Sequence, residues 1–198
     1  MLTLHDNSDS GNGYKLRLLM SLLGIEYRLV QVDIFRGESR TPEFLAKNPN
    51  GRIPVLELPD GRCLAESNAI LCHLAEGTEY IPRDPWQRAL MFQWLFFEQY
   101  SHEPNVATPR YWLRHTAADD PRRAQLEQRQ VLGRAALAVM QEHLATRLYF
   151  ADDRFTIADI ALYAYTHLAE QGGFTLASYP AVRRWLARCA DRPRFAAF

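Results

Sequence analysis

The stretch Asn48-Pro49-Asn50-Gly51-Arg52-Ile53-Pro54-Val55-Leu56 decides how the rest of the chain is read. Asn-Pro and Asn-Gly both mark turns. The apolar run that begins at Val55 and reaches Leu58 reads as a strand, which puts Pro54 at a strand start. Proline has no N–H to give a sheet ladder and is tolerated there. A cis Ile53-Pro54 bond is expected, because cis-proline is used at sharp turns into ordered elements. Such a bond would turn the main-chain N–H and C=O of Ile53 to the sheet edge, open to an extended, peptide-like ligand. A plain turn before a strand has the same signature, so the reading leans on two further stretches. These are Ser8-Asp9-Ser10-Gly11-Asn12-Gly13-Tyr14-Lys15 upstream and Leu64-Ala65-Glu66-Ser67-Asn68-Ala69-Ile70 downstream.

Upstream, Leu2, Leu4 and His5 form a short strand, and a polar loop covers 6–13. Leu16, Leu19, Met20 and Leu23 then recur at helical spacing, with Gly24 as the C-cap. Residues 27–34 alternate and are β-branched, as in a strand. A strand, helix and strand in this order make a parallel pair. Thr41 and Pro42 cap and open a short helix through Lys47. Downstream, residues 55–58 and 62–65 pair as a hairpin across Pro59-Asp60-Gly61. Ser67 is expected to cap a helix over Asn68–Glu76. The predicted order βαβαββα describes an α/β domain over residues 1–78.

Residues 79–85 read as a linker, and 86–198 as all-helical. Asp84-Pro85 opens a helix with Trp86, Leu90, Trp94 and Leu95 on one face, running to about Tyr100. Pro104 and Pro109 are expected to interrupt the chain beyond it. Asp120-Pro121 opens a long helix ending near Leu148. Thr156 and Asp159 approximate a capping box for the next helix, and Pro180 starts the last.

Composition narrows the function classes. A hydrophobic fraction of 47% and a charged fraction of 23% suit a globular protein. Formal net charge is zero, so nothing argues for nucleic acid or a membrane surface. Cys63, Cys72 and Cys189 make an odd count without a CxxC, which fits a reducing compartment rather than a disulfide framework. The start at Met1-Leu2-Thr3 has no basic or apolar leader, so a cytoplasmic location is expected. The six histidines are scattered, there is no HExxH, and no metal is expected.

The loop with Ser8, Ser10 and Asn12 lies between a strand end and a helix start, where free N–H groups and positive potential favour anions. It offers hydroxyl and amide donors rather than a strong base. Such donors suit an anion brought by the ligand, although a polar helix cap would use the same residues. At Glu66-Ser67, helix-start N–H groups could hold a carboxylate while Glu66 pairs with an ammonium. Together these match the two charges of an α-amino acid. Arg52 could meet a second carboxylate.

These residues carry a resemblance to the soluble glutathione transferases. The matching pieces are Ser10–Lys15, Asn48–Leu56, Glu66-Ser67-Asn68-Ala69-Ile70 and Phe155-Thr156-Ile157-Ala158-Asp159-Ile160-Ala161, and they span almost the whole chain. The resemblance implies a thioredoxin-like domain, then an all-helical glutathione-transferase domain, and a homodimer. Glutathione would be the co-substrate, and detoxification the usual setting. Ile53, beside Pro54, would pair with the cysteinyl part. Glu66 and Ser67 would hold the γ-glutamyl end, and Arg52 would face the glycyl carboxylate. Thr156 and Asp159 would be structural.

The first loop has no tyrosine or cysteine at the activating place. The resemblance is therefore to serine-type members, similar to bacterial nu- and theta-like ones, with Ser10 activating the thiol and Asn12 assisting. Ser8 is the competing hydroxyl. Tyr100, Tyr111 and Trp112 would wall the second-substrate pocket, with Arg129 or Arg134 reaching ligand anions if not simply solvated. Lowering a thiol by ~2 units from ~8.5 needs about 2.7 kcal/mol. One charge-assisted hydrogen bond supplies roughly 1.5–3 kcal/mol, and a helix N-terminus about 0.3–1 kcal/mol. Ser10 and its helix could therefore suffice without a general base. Three activities remain open at this point: conjugation of small apolar electrophiles, glutathione-dependent disulfide reduction, and a non-enzymatic glutathione-binding or partner role.

Overall fold

The computed structural model describes residues 1–198. The chain divides into two compact units, residues 1–78 with 193–198, and residues 79–192. The last six residues thus fold with the first unit. The Tyr14 hydroxyl donates to the Ala196 carbonyl at 2.7 Å, and the Ser21 hydroxyl to that of Arg194 at 2.9 Å.

The first unit contains β1 (Leu2–Asp6), α1 (Gly11–Leu23), β2 (Tyr27–Gln31), α2 (Pro42–Lys47), β3 (Val55–Glu57), β4 (Cys63–Ala65) and α3 (Ser67–Ala75). The sheet order is β2-β1-β3-β4, with β1 and β2 parallel and the other pairs antiparallel. This is the thioredoxin-like βαβαββα arrangement. Strand alternation sends Val55, Cys63 and Ala65 to one face, where Phe44 of α2 and Val32 close a small core. Leu4 and Leu56 have the opposite parity and are fully buried, as are Leu16, Leu19 and Met20 of α1 and Ile70 and Leu71 of α3. The Ile53-Pro54 peptide is cis. Asn48 shapes the turn before it. Its amide donates to the Arg52 carbonyl at 2.7 Å and its Oδ1 accepts the Asn50 N–H at 3.1 Å.

Two local expectations change. The loop ends at Ser10 rather than Gly13, because the Ser10 hydroxyl caps α1 by accepting the Gly13 N–H at 3.1 Å. At α3 the N-cap is Glu66, not Ser67. Ser67 is already helical, and its hydroxyl is engaged by side chains of α1 rather than by its own helix.

The second unit contains α4 (Pro85–Phe97), α5 (Glu103–His115), α6 (Leu126–Thr146), α7 (Ile157–Thr166) and α8 (Pro180–Ala190). Pro104 and Pro109 do not interrupt α5. Pro104 sits in the first turn, where no N–H is needed. Pro109 is accommodated inside the helix, and the irregularity falls earlier, in a wide π-helical turn over Glu98–His102. Trp86 is 68% exposed and does not share the buried face of Met91, Trp94 and Leu95. Residues of the expected linker are core: Tyr80 and Ile81 are buried, and the Tyr80 carbonyl accepts the Ile157 N–H at 3.1 Å. No helix is long and apolar enough to cross a membrane.

Candidate functional site

Three chain segments of the first unit carry the polar groups singled out by sequence. The first is the start of α1. Asp6 ends β1 fully buried and pairs with Arg17. Burial pushes its carboxyl up to about 6, although the Arg17 guanidinium pulls it down. Arg17 also donates to the Ser8 carbonyl at 2.9 Å, and so ties the loop to the helix. Gly13 passes directly over Asp6, where any β-carbon would collide with the carboxylate. The loop is therefore held from below while Ser8 stays exposed and Ser10 half-buried. Capping uses one lone pair of Ser10 Oγ, and a hydroxyl retains its O–H as donor. The structural and the chemical role of Ser10 are compatible.

The second segment is the turn into β3. Arg52 is exposed and forms no ion pair within the chain. The main-chain N–H and C=O of Ile53 have no hydrogen-bond partner in the chain. β3 begins its pairing only at Val55, so Ile53 presents bare backbone beyond the ladder.

The third is the start of α3. Glu66 holds φ +68°, ψ 109°, a conformation that an L side chain adopts only at a cost, and no side chain caps the helix behind it. The Glu66 side chain is exposed and Ser67 is buried. A helix start with exposed acid and uncapped N–H groups can receive an ammonium and a carboxylate side by side.

One residue binds the first and third segments together and was not singled out by sequence. Lys15 of α1 is 0% exposed. Its Nζ donates to Ser67 Oγ at 3.3 Å and to Asn68 Oδ1 at 3.2 Å, and Ser67 Oγ donates on to Asn12 Oδ1 at 3.3 Å. Lys15 precedes Leu19 by one helical turn on the buried face, which was a usable signal.

The remaining candidates lie in the second unit. Tyr100 is 86% exposed, whereas Trp112 is 8% exposed and belongs to the core. Tyr111 is half-buried and its ring lies against His115 at 5.4 Å. Arg129 is not simply solvated, because it donates to Asn105 Oδ1 at 3.2 Å, while Arg134 is exposed. Thr156 and Asp159 form a complete capping box at α7. Burial raises the thiols of Cys63, Cys72 and Cys189, so the chain's own cysteines are poor sources of thiolate. No cluster of three or more His, Cys, Asp or Glu is placed to hold a metal ion.

Known proteins match the chain along the same division. The glutathione S-transferase N-terminal domain model matches residues 10–76, and the C-terminal domain model residues 91–193. The crystal structure of a glutathione S-transferase from Pseudomonas fluorescens is 45% identical, with a TM-score of 0.97 over 99% of this chain and 98% of that one. Ure2p in complex with glutathione is 26% identical, with a TM-score of 0.88 over 98% and 96%. Disulfide-bond oxidoreductase YfcG of Escherichia coli is 31% identical over 92% of this chain and 87% of its own. The chain also spans 45% of the elongation factor 1-gamma chains it matches. With both domain models in their expected order and relatives alike over nearly the full length, the chain belongs to the glutathione S-transferase family.

Proposed function

We propose that the chain is a serine-type glutathione transferase that binds glutathione in its first unit and stabilises the thiolate there for attack on small apolar electrophiles. The observation that carries this is the start of α3, where Glu66 at φ +68° leaves the helix without a side-chain cap. A purely structural helix start would have no use for that strain. In this reading the γ-glutamyl ammonium pairs with Glu66, and its carboxylate takes the N–H groups from Ser67 onward. The cysteinyl backbone pairs with Ile53, as an added strand would. Arg52 faces the glycyl carboxylate. The Ser10 O–H donates to the sulfur, with Asn12 beside it in the first turn of α1. The thiolate then forms a bond to the electrophilic carbon as the leaving group departs with its electron pair. Tyr100 and Tyr111 have exposed surface to offer a second substrate, whereas the buried Trp112 has little. The working form is a homodimer.

A second reading is favoured by one relative. YfcG is a disulfide-bond oxidoreductase, and the first loop here has no cysteine. Two glutathiones can supply both electrons. One thiolate attacks the disulfide, releasing one substrate thiolate, and the second attacks the glutathione sulfur of the mixed disulfide, releasing the other substrate thiolate and forming oxidised glutathione. Parallel assays decide between the two. Conjugation of an aryl halide without disulfide reduction supports the transferase, and reduction of a model disulfide without conjugation supports the reductase. Glutathione binding with neither activity points to a binding role.

A further inference from the structure

Asn48 is buried at the end of α2, one residue after Lys47, whose ammonium is tied to Glu57 of β3 at 2.7 Å. The Asn48 N–H donates to the Phe44 carbonyl at 2.9 Å, and the Asn48 carbonyl accepts the Gly51 N–H at 2.8 Å. Its main chain is thus anchored to the helix before it and the turn after it. The side chain adds two contacts of opposite sense, Oδ1 accepting from the Asn50 N–H and Nδ2 donating to the Arg52 carbonyl at 2.7 Å. Only one orientation of the amide serves both. The second contact acts beyond the turn. The Arg52 carbonyl and the Ile53 N–H belong to one peptide unit, which is trans and planar. In a trans unit these two groups point in opposite directions. Holding the carbonyl towards Asn48 therefore aims the Ile53 N–H away from it, where it meets no acceptor in the chain. A hydrogen bond to the carbonyl also polarises the unit and makes its N–H a better donor.

We infer that Asn48 is a positioning residue of the glutathione site, orienting and polarising the peptide between Arg52 and Ile53 so that the Ile53 N–H meets the cysteinyl carbonyl of glutathione. The inference rests on the glutathione-binding reading above. It ties Asn48 to one acceptor on the ligand, whereas an asparagine that merely formed the turn would affect every ligand of the site alike.

The test is a calorimetric titration of two ligands, glutathione and its isostere with a trans alkene in place of the amide between the cysteinyl and glycyl residues. The isostere keeps the thiol and the charged groups but offers no carbonyl to Ile53. Wild type is compared with Asn48→Asp, which keeps an acceptor for the Asn50 N–H and loses the donor to Arg52. The expected result is a loss of tenfold or more in affinity for glutathione in Asn48→Asp, with less than a twofold change for the isostere. Should Asn48→Asp fail to fold, Asn48→Ala, which adds no charge, carries the same expectation. Equal losses for both ligands, or no loss for either, would overturn the inference and leave glutathione binding intact. So would a wild type that binds the isostere as tightly as glutathione. A wild type that binds neither ligand would overturn the functional reading, and this inference with it.

Discussion

At the start of α7, Thr156 and Asp159 satisfy each other. Asp159 Oδ2 accepts the Thr156 N–H at 2.9 Å and its hydroxyl at 3.1 Å, and Thr156 Oγ1 accepts the Ala158 N–H at 3.3 Å. Asp159 Oδ1 takes Trp185 Nε1 at 2.9 Å and the Phe150 N–H at 3.3 Å. The start of α3 is built the other way. Glu66 caps nothing, its backbone is held at positive φ, and the Ser67 hydroxyl is turned to neighbouring side chains. The first arrangement closes its polar groups on the protein itself, and so contributes stability and little else. The second has no side-chain cap and carries local strain. Two hydroxyl-and-acid helix starts in one chain thus divide into a closed, fold-holding pair and one that, under the proposed function, serves the γ-glutamyl end of glutathione.

That contrast can be broken at either end. Asp159→Ala strands the N–H groups of Trp185, Phe150 and Thr156, and should lower unfolding free energy by about 3–5 kcal/mol in chemical denaturation. A loss under ~1 kcal/mol would mean that the box is not what holds α7. Next in size is a pH effect. Burial pushes the Asp159 carboxyl up to about 6, against the hydrogen bonds that favour its charged form. The native state then holds this proton more tightly than the unfolded chain, whose value is near ~3.9. The stability it contributes is full below that value and is lost as pH rises towards 6, by about 2–3 kcal/mol. Wild type should show this slope relative to Asp159→Asn, and parallel profiles would refute it. The smallest stability effect is expected at the other start. Glu66→Gly removes the positive-φ cost, so stability should stay level or rise by up to ~1 kcal/mol, while glutathione affinity falls tenfold or more. A destabilised Glu66→Gly would place Glu66 among the structural caps.

Much of the first unit was legible in the sequence because its signals are local. Thr41-Pro42 marks a helix start by the geometry of two residues, and Pro54 marks a strand start by its missing N–H. What failed to show depends on tertiary packing. Capping rules favour serine over glutamate, so Ser67 read as the cap. Only the neighbouring Lys15 and Asn12 explain why its hydroxyl is used elsewhere. Lys15 shares the helical spacing of Leu19, but its acceptors Ser67 and Asn68 belong to α3 and meet it only once the two helices pack. In the second unit, prolines read as breaks, yet both lie within α5, Pro104 in the first turn, where no N–H is needed, and Pro109 inside the helix. Tyr80 and Ile81 lack a periodic pattern and still reach the core, since a short connection can be buried without being helical.

The measurement that bears most directly on Ser10 as the thiol-activating group is the ultraviolet absorbance of bound glutathione thiolate against pH, in wild type and Ser10→Ala. Losing the cap costs about 1 kcal/mol and leaves the fold in place, so both proteins should bind glutathione. A bound thiol titrating ~2 units below the free value near ~8.5 in wild type, and returning to it in Ser10→Ala together with loss of most turnover, is the expected result. A thiol that titrates as in free glutathione in the wild type, or one that stays depressed in Ser10→Ala, would contradict it.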